Sequence, residues 1–96
     1  MGDYLFLMHD DATAEEWSWE PYLRKLKEER VLQGGSAIGE GECERKTGTP
    51  GALTSHLVGF IRVNATDLAH AKSLLAGNPV FEAGGTVEIR ALPRTD

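Results

Sequence analysis

Cysteine is almost missing from this chain: Cys43 is the only one in 96 residues. No disulfide can close within it, and a lone thiol fits a reducing compartment. Cations are also scarce, 10 Lys and Arg against 15 Asp and Glu, for a net charge of -5. Nucleic acid and anionic membrane surfaces reward clustered Lys and Arg, so neither is expected as a partner. The one small basic cluster, Arg24, Lys25 and Lys27, is interleaved with Glu28 and Glu29 and reads as a solvated helix face. No apolar run approaches the roughly 20 residues of a membrane-spanning helix. The opening MGDYLFLMHDD has neither the basic start nor the small-residue cleavage site of a signal peptide, so the expected location is the cytoplasm. There are no repeats, linkers or low-complexity tracts.

Cofactor and metal fingerprints are absent as well. Gly34-Gly35-Ser36 and Gly39-Glu40-Gly41 are followed by no lysine and open no helix. They meet neither the phosphate-loop nor the dinucleotide pattern and read as bulges or turns. The three histidines and Cys43 lack ligand spacing, so no metal is expected. Glu42 and Glu44 oppose the effect of Arg45 and Lys46 on Cys43, which leaves an inert thiol. Ser36 has no paired base, which excludes a hydrolase triad, although it can still line a pocket.

What is present is a strand–helix–strand unit from His56 to Leu92. In the strand His56–Asn64, Leu57, Gly59, Ile61 and Val63 point one way and His56, Val58, Phe60 and Arg62 the other. Thr66 is placed to cap a helix, with Asp67 in its first turn. Leu68, Ala71 and Leu75 recur at helical spacing. Gly77 stops that helix, and Pro79 follows as punctuation. In the last strand Val87, Ile89 and Ala91 form an apolar face, with Glu88 and Arg90 opposite. The tail from Pro93 to Asp96 is expected to fray.

The first half adds a strand over Tyr4–His9, with Leu5, Leu7 and His9 on one side and Tyr4, Phe6 and Met8 on the other. Both sides are apolar, so both want burial. Thr13-Ala14-Glu15-Glu16 matches a capping box and predicts a short helical turn through Trp17. A proline inside a helix costs about 3 kcal/mol, so the main helix is predicted to be capped by Ser18 with Pro21 in its first turn. Trp19, Tyr22, Leu23, Leu26 and Arg30 share its buried side. Trp17 falls about 200° from Trp19 on helical geometry, so it is exposed or packs on something outside its own chain. A second strand begins at Val31-Leu32-Gln33, is broken by Gly34-Gly35 and resumes at Ser36. Cys43–Lys46 has the charge of a short edge strand.

The order is β-α-β-β-α-β over one domain spanning 1–96. That is the ferredoxin-like, α+β arrangement: two helices on one face of a four-stranded antiparallel sheet. With Leu5, Leu7, Leu57, Ile61, Val63, Val87 and Ile89 facing the helices, the open face carries Tyr4, Phe6, Met8, Val58, Phe60 and Leu92. This is a large apolar patch for a chain on its own. A homodimer with facing sheets and a partly polar cavity between them resolves it.

Two constellations can carry chemistry. His9, next to Asp10, ends the first strand, where an acid–base residue is well placed; the plainer reading is a surface histidine. His56, Glu88 and Arg90 share the open face by parity and suit an anionic or phenolic small molecule, with Arg90 as a bidentate anchor. Their plainer reading is a surface ion pair with Arg62 or Glu82. Trp17 is a further candidate ligand contact, by stacking.

The segments YLFLMHDD, Trp19-x-x-Tyr22-Leu23-x-x-Leu26, VLQGGSAI, GFIRV, AKSLLAGNP and GGTVEIRALP, taken in order, span nearly all of residues 4–93. Together they resemble the YCII-related family, including its DGPF-domain branch. The resemblance implies a dimeric α+β barrel, and some members look like small-molecule enzymes. One relative acts as a dehydrochlorinase on chlorinated hydroxyquinols. The Asp-Gly-Pro-Phe segment is replaced here by Thr49-Pro50-Gly51-Ala52-Leu53, and the aspartate before proline is Asn78. No histidine stands near Ser18, so the His-Asp dyad of some members does not carry over. The expectation is therefore a cofactor-free enzyme or binding protein using His9 or His56 as acid–base and Arg90 on an anion. The rival is a non-catalytic module whose open face only self-associates.

Overall fold

The computed structural model of the chain describes residues 1–94. Thr95 and Asp96, the end of the predicted frayed tail, lie outside the described residues. Seven elements follow in order: β1 (Gly2–His9), α1 (Trp19–Glu28), β2 (Leu32–Ala37), β3 (Leu57–Ala65), α2 (Leu68–Ser73), α3 (Pro79–Glu82) and β4 (Val87–Leu92). The strands form one antiparallel sheet in the order β2-β3-β1-β4. β1 and β2 are split by β3, the arrangement expected for a ferredoxin-like α+β fold.

The helices cover one face. Tyr22 and Leu26 on α1 are almost fully buried against Phe6, Ile61 and Val63, with Trp19 and Leu23 half-buried beside them. α1 begins at Trp19 after the extended Ser18, with Pro21 in its first turn, where a missing N–H costs nothing. It ends at Glu28, and Arg30, two residues on, adopts φ 60 and is exposed. Arg30 is therefore part of the stop and not of the buried stripe. No helical turn forms over Thr13–Trp17; instead the Thr13 and Ala14 amides bond to the Ala83 carbonyl.

The main correction concerns β1. Phe6 pairs with Ile61 on one side and Ile89 on the other, and Phe6 and Met8 are buried under the helices. Leu5, Leu7 and His9 point to the open face, the reverse of the expectation from sequence. Both faces of β1 are apolar, so its own pattern set no direction; the register against β3 and β4 did. Those two strands take the predicted sides. The open face therefore carries Leu5, Leu7, Val58, Phe60 and Leu92, with the Asp3–Arg62 pair among them.

The second helical segment is divided. Asp67, not Thr66, caps α2 by accepting from the His70 amide, and α2 gives out at Ser73. Asn78 then caps α3 through Oδ1, which accepts from the Val80 and Phe81 amides, and Pro79 starts that helix instead of following one. Asn78 is fully buried and its Nδ2 has no hydrogen-bond partner. Gly34-Gly35 does not break β2; the irregularity is a shift in register between Leu32 and Gly34. Cys43–Lys46 forms no strand, and every residue from Gln33 to His56 is exposed.

Candidate functional site

At the carboxyl end of β1 the chain brings together four candidate residues: His9 from β1, His56 just before β3, and Glu88 and Arg90 from β4. The register slips between Met8 and His9, so His9 pairs with Leu57. Its amide bonds to the Thr86 carbonyl, and the next amide, Asp10, bonds to the His56 carbonyl. His9 is thus pinned between the starts of β3 and β4. Its ring meets the His56 ring edge-on, with centroids 4.7 Å apart. His9 Nε2 lies 3.1 Å from Glu88 Oε1, and Arg90 donates to Glu88 Oε2 at 3.0 Å. The His9 side chain is 19% exposed, against 66% for Arg90.

The partners of Glu88 constrain the proton arrangement. Hydrogen bonds from His9 and then Arg90 hold the Glu88 carboxyl below the usual carboxylate range. A carboxylate only accepts, so His9 Nε2 must carry hydrogen. Neutral His9 therefore keeps its lone pair on Nδ1. Beside it, Asp11 accepts from the Thr86 hydroxyl at 2.6 Å and the Thr86 amide at 2.7 Å, and its carboxyl is lowered chiefly by that hydroxyl. An imidazole with one nitrogen anchored and one free is the geometry of a general base.

Ser36 stands elsewhere. It pairs with Phe60, which pairs with Leu7, which pairs with Glu88. Three strand spacings of ~4.8 Å separate it from Glu88 by about 14 Å. Its hydroxyl donates to the Ala37 carbonyl at 2.9 Å. Trp17 is 58% exposed in the connection before α1 and does not line the cleft described next.

On the opposite, helix-covered side a cleft of about 560 Å³ opens between α1 and the β2–β3 half of the sheet. Trp19, Leu23 and Lys27 form one wall, Gly35, Gly59 and Ile61 the floor, and Met8 and Val80 lie at the back. Ser36 borders it. The sequence reading missed this feature. Its signals were the spacing of Trp19, Leu23 and Lys27, one helical stripe beside the core stripe, and glycines at inward positions of two paired strands. Tyr22, edge-on to Trp19 at 6.0 Å, is part of the core behind. Its hydroxyl donates to the Leu74 carbonyl, and burial pushes it up to about 12, so it is no acid near neutral pH. Among the described residues, no three or more His, Cys, Asp or Glu are grouped to hold a metal, and no helix is long and apolar enough to cross a membrane.

Fold and site together define a small α+β protein with a split βαβ sheet, one chemically equipped end and one helix-side cleft. No family model matches the chain, and no curated protein matches its sequence. A solved structure does match in fold: 5-chloro-2-hydroxyhydroquinone dehydrochlorinase (TftG) from Burkholderia phenoliruptrix AC1100, in complex with 2,5-dihydroxybenzoquinone. The two are 17% identical with a TM-score of 0.57, over 97% of this chain and 95% of that one. At that identity the likeness is one of fold.

Proposed function

We propose that this chain is a YCII-like small-molecule protein of the cytoplasm, working without a cofactor as a homodimer whose open sheet faces meet. The observation that carries the reading is the His9–Glu88 pair on that face. His9 Nδ1 is the acid–base atom, Glu88 orients the ring, and His56 and Arg90 receive the negative end of an anionic or aromatic substrate. Arg90 spends one nitrogen on Glu88 and keeps further donors for a ligand.

Two features support a second copy as the cover. The apolar side chains Leu5, Leu7, Val58, Phe60 and Leu92 stand together, with Val58 exposed and the other four half-buried. The charges among them are paired internally, Asp3 with Arg62 and Glu88 with Arg90. A chain of net charge -5 therefore meets its copy through a charge-balanced face, which removes the repulsion that its overall charge would cause. The fold it shares with a dehydrochlorinase agrees with small-molecule chemistry.

The test is a thermal-shift screen against small aromatic acids and quinols at about pH 6 and about pH 8, on either side of the ordinary histidine value. A hit should stabilise differently at the two pH values and should vanish in His9→Gln. The same hit with undiminished effect in His9→Gln removes His9 from the site. In sedimentation, Phe60→Asp should give the monomer; a dimeric Phe60→Asp protein defeats the facing-sheet arrangement. The same internal charge pairing favours one other reading, a self-association module with no ligand. It wins if the dimer is intact and a broad screen gives no hit.

A further inference from the structure

We propose that the helix-side cleft is a separate binding site for a flat aromatic ring bearing an acidic group. This goes beyond the His9 reading and does not depend on it, since the two sites lie on opposite faces of the sheet.

The shape is dictated by missing side chains. At the inward positions of the β2–β3 half, Gly35 sits opposite Ile61, and Gly59 opposite Ala37. A Cβ on Gly35 would fall 2.6 Å from the Phe60 carbonyl oxygen and 3.2 Å from the Ile61 Cα. A Cβ on Gly59 would touch the Met8 Cε and the Ser36 carbonyl oxygen, each at 3.4 Å. The floor is therefore backbone at the two glycines, with the Ile61 side chain beside them, its Cγ1 3.3 Å from the Gly35 Cβ position. Above it, Trp19 and Leu23 hang from α1 with one apolar side each. A slot between a floor with two glycines in it and an aromatic-aliphatic roof favours planar molecules. Its volume of about 560 Å³ is ample for one or two fused rings.

The charge at its ends sets the polarity of the occupant. Lys27 lies two turns beyond Trp19 on the same stripe, about 12 Å along the helix. Glu16 borders the other end. The ion pairs among the described residues are His9–Glu88, Arg24–Glu20, Arg62–Asp3 and Arg90–Glu88, so Lys27 is outside all of them. Its flexible stem lets the ammonium swing over the slot. An aromatic carboxylate lying with its ring on Gly35 and Gly59 and its acid group toward Lys27 satisfies both ends, because it keeps its negative charge away from Glu16.

The probe is 2-naphthoate, with the uncharged 2-naphthamide as control, followed by the amide resonances of the full-length protein. Naphthoate should shift the Gly34, Gly35 and Gly59 amides saturably. Lys27→Met, an exposed change that keeps the stem, should weaken naphthoate about fivefold to tenfold and leave naphthamide unaltered. Gly59→Ala, whose methyl meets the movable end of Met8, the Ser36 carbonyl and, at 3.8 Å, the Ala37 Cα, should weaken both. Three results overturn the proposal: no saturable shift up to the solubility of the probe, equal naphthoate affinity in Lys27→Met, or shifts confined to Leu7, His9 and Glu88. The last would move the binding to the opposite face and so favour the His9 site while defeating this one.

Discussion

Phe6→Ala tests the direction of β1, on which both sites depend. Phe6 is wholly buried between the helices and the sheet, flanked by Ile61 and Ile89. Truncating such a side chain costs about 3–5 kcal/mol, the lost transfer energy plus the cavity left behind. A domain of this length has about 5–14 kcal/mol of stability in total, so the variant is folded but marginal. With a urea slope of about 1–3 kcal/mol per molar, the midpoint should fall by at least about 1 M. The neighbouring Leu7→Ala is the control. Leu7 is half-buried on the open face, and its truncation should cost about 1 kcal/mol in the free chain. If a second copy covers that face, the Leu7 cost grows with protein concentration while the Phe6 cost does not. Urea unfolding of both variants over a range of concentrations reads this directly. A Leu7→Ala loss as large as that of Phe6→Ala, and independent of concentration, would show that the strand faces the other way. It would also take His9 off the open face.

Acid unfolding follows from the carboxylates at the ends of β1 and β4. Asp3, Asp11 and Glu88 all sit below their ordinary values. The unfolded chain therefore takes up protons first, and the stability they contribute is complete above the ordinary carboxylate range. It should fall as pH drops through about 4 and below. Asp11→Asn should flatten that limb in urea midpoints measured against pH; an unchanged limb would mean that the Thr86 contacts contribute nothing. Gly35→Ala should cost about 1–3 kcal/mol, because its methyl meets backbone that cannot turn aside. Gly39→Ala, with nothing within 4 Å of the added carbon, should stay within about 0.5 kcal/mol, and a thermal melt of the pair distinguishes them.

Much of the architecture is legible locally. β3 and β4 alternate cleanly, and that alternation fixes which side Ile61, Val63, Val87 and Ile89 take. The stripe of Tyr22 and Leu26 fixes the buried side of α1, and Pro21 fixes where α1 begins. The order of the elements, with one helix between the first two strands and a helical segment between the last two, limits the chain to a split βαβ sheet. Each of these follows from period and steric exclusion within a few residues, so no distant contact is needed to decide them.

The rest depends on partners far away in sequence. β1 is apolar on both sides, and only its pairing with Ile61 and Ile89 turned Phe6 inward and Leu7 outward. The division between α2 and α3 required the buried Asn78 amide, which gives two backbone donors an acceptor that a straight helix would not need. His9 and Glu88 are 79 residues apart, and strand parity alone left His9 on the wrong side of the sheet. The glycine floor of the cleft is visible as letters, but it becomes a floor only when β2 is laid against β3 and α1 is drawn over both. The sequence by itself determined the four main strands, the main helix and the order in which the elements run, because those choices are local. Tertiary structure decided which face of β1 meets the core and which side chains share a site, because register and long-range pairing are set only when the strands come together.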